Sequence, residues 1–104
     1  MTEVIQAAKV KLVTIIGSYH FGDRITHDLQ TLGVSGYTKI RAEGVGAHGS
    51  RQFGIVDGAN VRIETLVDAT LATAILRSIA THFAGQAVIA FAVDAEAVPR
   101  NHFE

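Results

Sequence analysis

The stretch Gly44-Val45-Gly46-Ala47-His48-Gly49-Ser50-Arg51 holds the residues of this chain best suited to ligand chemistry. A glycine run leaving a strand presents backbone N–H groups to an anion. A hydroxyl beside a guanidinium, as at Ser50 and Arg51, suits phosphate or carboxylate oxygens, with the arginine acting as a planar fork. The plain alternative is a flexible loop with a solvated arginine. The run also satisfies the spacing G-x-G-x-x-G, and Glu64 follows about twenty residues on, as a dinucleotide fold would have it. The context excludes that fold, because such a run must open a helix whose N-terminus meets the pyrophosphate. Here Ser50 to Gly58 contains Gly54 and Gly58 and no apolar stripe.

Other chemistry finds little support. The five histidines, His20, His27, His48, His82 and His102, are scattered. His20 and His27 stand seven apart, where a helical metal site would want a spacing of four with a carboxylate nearby. No metal is expected. There are no cysteines, so disulfides, thiolate zinc sites and thiol catalysis are excluded. Asp23 and Asp28 fall on a predicted helix, where solvated charges belong, and no nucleophile–base pairing or paired catalytic carboxylates stand out. The chain reads as a binding protein and not an enzyme.

The elements that must position these residues follow from periodicity. Lys9 to Ile16 is β-branched and partly alternating, a strand closed by Gly17-Ser18. Phe21, Ile25, Leu29 and Leu32 mark one face of a helix, with Gly33 at its C-terminal end. Gly36 to Glu43 alternates as a second strand. Gly44 to Gly58 carries five of the ten glycines and reads as a long flexible loop. Val61 to Val67 is a third strand, with Val61, Ile63, Thr65 and Val67 on one side. Asp68 is placed to cap a second helix, whose stripe is Leu71, Ala72, Ile75, Leu76, Ile79 and Phe83, ending at Gly85. Ala87 to Val93 is a buried strand, and Pro99 to Glu104 a short polar tail.

The order β-α-β-β-α-β is the ferredoxin-like, split βαβ arrangement of the α+β class: four antiparallel strands with two helices on one face. Residues 1–104 read as one domain, with the loop at about 44–58 and a tail over 97–104. The first strand is apolar on both sides, with Val10, Leu12 and Ile16 opposite Val13 and Ile15, and so is the last. Two helices cover one face, so the other needs a partner, which points to a homo-oligomer. Apolar residues make up 48% and charged residues 18% of the 104 residues, which excludes a disordered tail. A net charge of -1 excludes a basic surface for nucleic acid. No segment approaches the ~18 uninterrupted apolar residues of a membrane span. The N-terminus, Met1 to Gln6, has no basic region of a secretory signal. An intracellular, cytoplasmic protein is expected.

The sequence Gly36-Tyr37-Thr38, then Gly44-Val45-Gly46, then the loop with Gly49-Ser50-Arg51, then Val61 to Val67 resembles the PII signalling superfamily over roughly residues 9 to 96. The Gly-Tyr-Thr start and the Gly-Ser-Arg of the loop are more similar to its bicarbonate- and carboxysome-associated branch than to its nitrogen-regulatory branch. The resemblance implies a homotrimer of the ferredoxin-like fold, with the long loop in the place of the T-loop. It implies an adenine nucleotide, AMP or ADP, held in the clefts between subunits. Thr38 would reach the nucleotide. Ile16, Leu66 and the backbone of Gly85, Gln86 and Ala87 would enclose the adenine, with Gly36, Tyr37, Gly46 and Arg100 completing the site. Bicarbonate would bind at Ser50 and Arg51, and ligand occupancy would order the T-loop for a bicarbonate transporter or carboxysome protein to read.

The departures are informative. Nitrogen-type members carry a lysine-bearing polyphosphate turn after the second helix. The matching turn here, Ala84-Gly85-Gln86-Ala87, has no lysine, which points to AMP or ADP over ATP. Tyr19 and Tyr37 lie outside the loop, so the uridylylated tyrosine is missing, and no cysteine-bearing tail is present. Arg62 and Glu64 share one side of a strand and read first as a cross-strand or intersubunit ion pair. The alternatives are a trimeric metal-binding protein of the copper-tolerance type on the same fold, or a small ferredoxin-like enzyme with an intersubunit pocket.

Overall fold

The computed structural model describes residues 4–44 and 59–103. Strand β1 (Ala8–Ser18) leads through a short 3-10 turn, Tyr19–Phe21, into helix α1 (Gly22–Thr31). Strands β2 (Thr38–Ala42) and β3 (Asn60–Val67), helix α2 (Ala69–His82) and strand β4 (Val88–Ala97) follow, and a 3-10 turn, Arg100–Phe103, ends the described chain. The sheet order is β2-β3-β1-β4, with all three pairings antiparallel. This is the expected ferredoxin-like topology: β3 lies between β1 and β2, and β1 between β3 and β4.

Side-chain alternation divides the sheet into two faces. Val13 and Ile15 of β1 and Val61, Ile63 and Val67 of β3 are buried against Ile25, Leu29, Ala72, Ile75, Ile79 and Phe83 from the two helices. This is the core, and both helices lie on it. The opposite face is formed by cross-strand rows. Thr38, Glu64, Thr14 and Phe91 make one row, and Ile40, Arg62, Ile16 and Ile89 the next. Ile40, Leu66, Ile89, Phe91 and Val93 on this face are all 38–47% exposed. The unpartnered apolar face expected from the sequence is therefore present in the single chain.

Several boundaries differ from the sequence expectation, for physical reasons. β1 runs through Gly17-Ser18, because Gly17 lets β4 approach closely. A Cβ there would lie 2.9 Å from Val88 Cγ2 and 3.0 Å from the Ala87 carbonyl oxygen. β4 continues past Val93 to Ala97, since its polar residues face basic ones on β1: Asp94 opposite Lys11 and Glu96 opposite Lys9. The Lys11 ammonium donates a hydrogen bond to Asp94. That bond, with the attraction of the positive charge, holds the Asp94 carboxyl below its ordinary range.

α2 begins as expected, with the Asp68 carboxylate accepting from the Leu71 N–H at 2.8 Å and satisfying a donor that the helix leaves open. Gly85 ends the α2 turn at φ +75°, a left-handed conformation that glycine adopts without steric cost. Asp28 is not a solvated helix charge as read from the sequence. Its Oδ2 meets His82 Nδ1 at 2.8 Å across the two helices. Among the described residues no helix is long and apolar enough to cross a membrane. Residues 45–58 of the expected flexible loop lie outside the described residues.

Candidate functional site

A cleft of about 520 Å³ opens beside the middle of β1 and the C-terminal end of β3. Leu12, Ser35, Gly36, Tyr37, Thr38, Glu64, Thr65, Leu66, His102 and Phe103 line it. Four of the residues singled out in the sequence, Gly36, Tyr37, Thr38 and Leu66, meet here. The Thr65 hydroxyl donates to the Gly36 carbonyl at 2.6 Å, which pins the segment before β2 onto β3. Tyr37 stays 39% and Leu66 38% exposed, so both present surface to the cleft. Thr38 opens β2 opposite Glu64, and its side chain is exposed. The arrangement offers apolar walls from Leu12 and Leu66, with a hydroxyl, a carboxylate and backbone groups at the rim. Such a cleft suits a flat, partly apolar ligand with polar edges.

The turn after α2 forms a second cluster. The Gln86 N–H donates to the Phe83 carbonyl at 2.9 Å, and the Ser18 N–H to the Ala87 carbonyl at 3.4 Å. Gly85 and Gln86 line a separate depression of about 450 Å³ with residues of α2 and β4. Ala87 belongs to the same turn, next to the end of β1. Leu12 and Gly17 mark the two clusters on β1, five residues or about 17 Å apart. A mononucleotide seated in the first cluster cannot touch the second on the same chain. Ile16 lies on the open face of the sheet, paired with Arg62 and Ile89.

Arg100 begins the C-terminal turn, and its Nη1 donates to Gln6 Oε1 at 3.1 Å. Gly46, Ser50 and Arg51 lie outside the described residues. The Arg62–Glu64 pair is not cross-strand in this chain. The two side chains join along one strand, Arg62 Nη2 to Glu64 Oε2 at 3.0 Å. Sequence reading missed His102 and Phe103, which periodicity cannot flag in a short terminal stretch. Leu12, Glu64 and Thr65 belonged to strands already read, but only the folded cleft brings them to one place.

A second grouping sits between the helices, where Ser78, His82 and Asp28 approach one another. It does not make a catalytic relay. Ser78 Oγ at 3.1 Å and Asp28 Oδ2 at 2.8 Å both meet the same ring nitrogen, His82 Nδ1. A relay requires the nucleophile and the acid on opposite nitrogens. Among the described residues no group of three His, Asp or Glu side chains converges to hold a metal ion.

The family description "Nitrogen regulatory protein P-II" matches residues 10–101. The chain belongs to the P-II family. Its regulatory character follows from that membership. No curated protein matches the chain. Among solved structures it is similar to a PII-like signaling protein from Thermus thermophilus, at 29% identity and a TM-score of 0.77, covering 96% of this chain and 100% of that one. It is also similar to CPII from Thiomonas intermedia bound to ADP and bicarbonate, at 25% identity and a TM-score of 0.77, covering 90% and 93%. CPII bound to ADP, AMP and bicarbonate shares the fold at 24% identity and a TM-score of 0.76, covering 88% and 96%. These similarities place this P-II chain with PII-like proteins of the kind that the sequence resembles.

Proposed function

We propose that this P-II protein is a homotrimeric sensor that binds AMP or ADP between adjacent copies and couples that binding to bicarbonate. The observation that carries the reading is the separation of the two residue clusters. The Gly36–Thr38 and Leu66 cleft and the Gly85–Ala87 turn stand about 17 Å apart along β1, so a nucleotide needs one from each of two chains. The open apolar face gives those chains a reason to associate. Trimers are the assembly known for this family. Thr14 Oγ1 and Arg62 Nε are buried on that face with no hydrogen-bond partner among the described residues, and a neighbouring copy would supply one.

The ligands follow from the relatives. CPII is a structure with ADP and bicarbonate, and the present chain has the residue types for both. The base takes the cleft, with Thr38 at its edge and Leu66 on its face. The backbone of a neighbour's Gly85–Ala87 turn helps enclose the adenine, with Gly46 and Arg100 completing the site. Without a lysine in that turn, ATP gains little over ADP. Ser50 and Arg51 supply a hydroxyl and a fork for the bicarbonate oxygens. Ordering of a segment with five glycines is entropically costly, so occupancy is able to switch it for a bicarbonate transporter or carboxysome protein to read. The site of action is the cytoplasm, with carboxysome association as its finer form.

Calorimetric titration with AMP, ADP and ATP, each with and without bicarbonate, tests the reading. The expected result is binding of AMP or ADP that tightens with bicarbonate, with nucleotide tightening bicarbonate by the same factor, since linkage is reciprocal. Absence of heat with every nucleotide would remove the nucleotide reading. Affinities indifferent to bicarbonate would remove the coupling alone.

A further inference from the structure

We infer that the C-terminal turn is a built wall of the base cleft, with Phe103 as the surface on which the adenine ring stacks. This rests on the nucleotide reading above and names a residue that family membership does not supply, because the family match ends at residue 101. Leu12 and Leu66 form the sheet side of the cleft, and His102 and Phe103 complete its lining. Phe103 is half-buried while His102 is exposed. Their rings meet edge to face, 4.9 Å between centroids at 80°, a favoured geometry for aromatic pairs. His102 thus braces Phe103.

The turn is held at its start. The His102 N–H donates to the Pro99 carbonyl at 3.1 Å, and Arg100 reaches Gln6 in the segment before β1. The cleft therefore has an aliphatic wall and an aromatic wall, with the polar groups of Thr38, Glu64 and Ser35 around them. A purine has the complementary form, with two apolar faces and a polar edge. Aromatic stacking on a base is a substantial contribution and tolerates geometry that hydrogen bonds do not. Aliphatic bulk alone would exclude water but would not stack.

The experiment compares the unmodified chain with Phe103→Ala, Phe103→Leu and Phe103→Trp. Phe103→Ala and Phe103→Leu are expected to weaken AMP by about fivefold to a hundredfold, the span of base–aromatic stacking. Phe103→Trp keeps the affinity. The natural chain has no tryptophan, so Phe103→Trp carries a single tryptophan that can be excited apart from the tyrosines, and AMP is expected to quench it with the dissociation constant that calorimetry gives. Unchanged AMP affinity in Phe103→Ala would overturn the wall and leave the nucleotide reading standing. Leucine serving as well as tryptophan, or a fluorescence blind to AMP, would do the same. An unmodified chain that binds no adenine nucleotide would overturn both.

Discussion

Phe91→Asp leaves this P-II chain monomeric and unable to bind AMP or ADP. Phe91 is 44% exposed on the open sheet face, on the edge strand β4, and its cross-strand neighbour is Thr14. Burying an unpaired carboxylate there costs several kcal/mol, and a symmetric assembly repeats that cost in every copy. Phe91 lies on the side of the sheet away from the helix-packed core, so the single chain retains its fold. Nucleotide binding is expected to fall by more than about a hundredfold, because in the proposed site each chain supplies only half. Sedimentation velocity, circular dichroism and an AMP titration on the one variant check the result. A trimer, or a folded monomer that binds AMP as the natural chain does, would contradict it.

Ile15→Ala destabilises the fold by roughly 2–5 kcal/mol, whereas Ile15→Val costs about 0.5–1.5 kcal/mol. Ile15 is fully buried on the central strand, between Ile63 of β3 and Ala90 of β4, beneath both helices. Truncation removes apolar contact and leaves a cavity that strands paired on both sides cannot collapse to fill. A domain of this size has about 5–15 kcal/mol in all, so the alanine variant is severely weakened. Urea unfolding at fixed protein concentration reads the effect, since assembly couples to folding. A loss under about 1 kcal/mol for the alanine would show that Ile15 does not anchor the core.

The strands and helices were legible because their apolar residues repeat at two and at 3.6. Val61, Ile63, Thr65 and Val67 alternate onto the core side of β3, and Ala72, Ile75 and Ile79 follow the α2 face. What escaped was set by pairing. Asp94 and Glu96 look like a polar exit from a strand until Lys11 and Lys9 stand opposite. Asp28 looks solvated until α2 brings His82 to it. The base cleft was half legible: Gly36, Tyr37, Thr38 and Leu66 came from resemblance, since an apolar cleft wall and a core residue have the same chemistry. His102 and Phe103 carry no local pattern, and only the fold of the C-terminal turn against β1 gives them a role. Of the proposed anion cradle, the residue types at Ser50 and Arg51 were readable, because guanidinium chemistry is a property of the side chain and not of its place.

The central claim, a site shared between two chains, is tested most directly by mixing two crippled variants. Gly36 lines the cleft and a Cβ there meets nothing within 4 Å, so Gly36→Phe is accommodated by the fold and adds a bulky ring at the cleft. Gln86→Asp sets a carboxylate beside the proposed nucleotide site at an exposed position of the turn. Each alone should assemble and fail to bind AMP. Co-refolded in equal amounts, random assembly joins an intact cleft to a neighbour's intact turn at about a quarter of the sites. This quarter of the AMP binding is expected to return. Mixed oligomers that assemble and bind none would show that both clusters must lie on one chain, and would contradict the shared site.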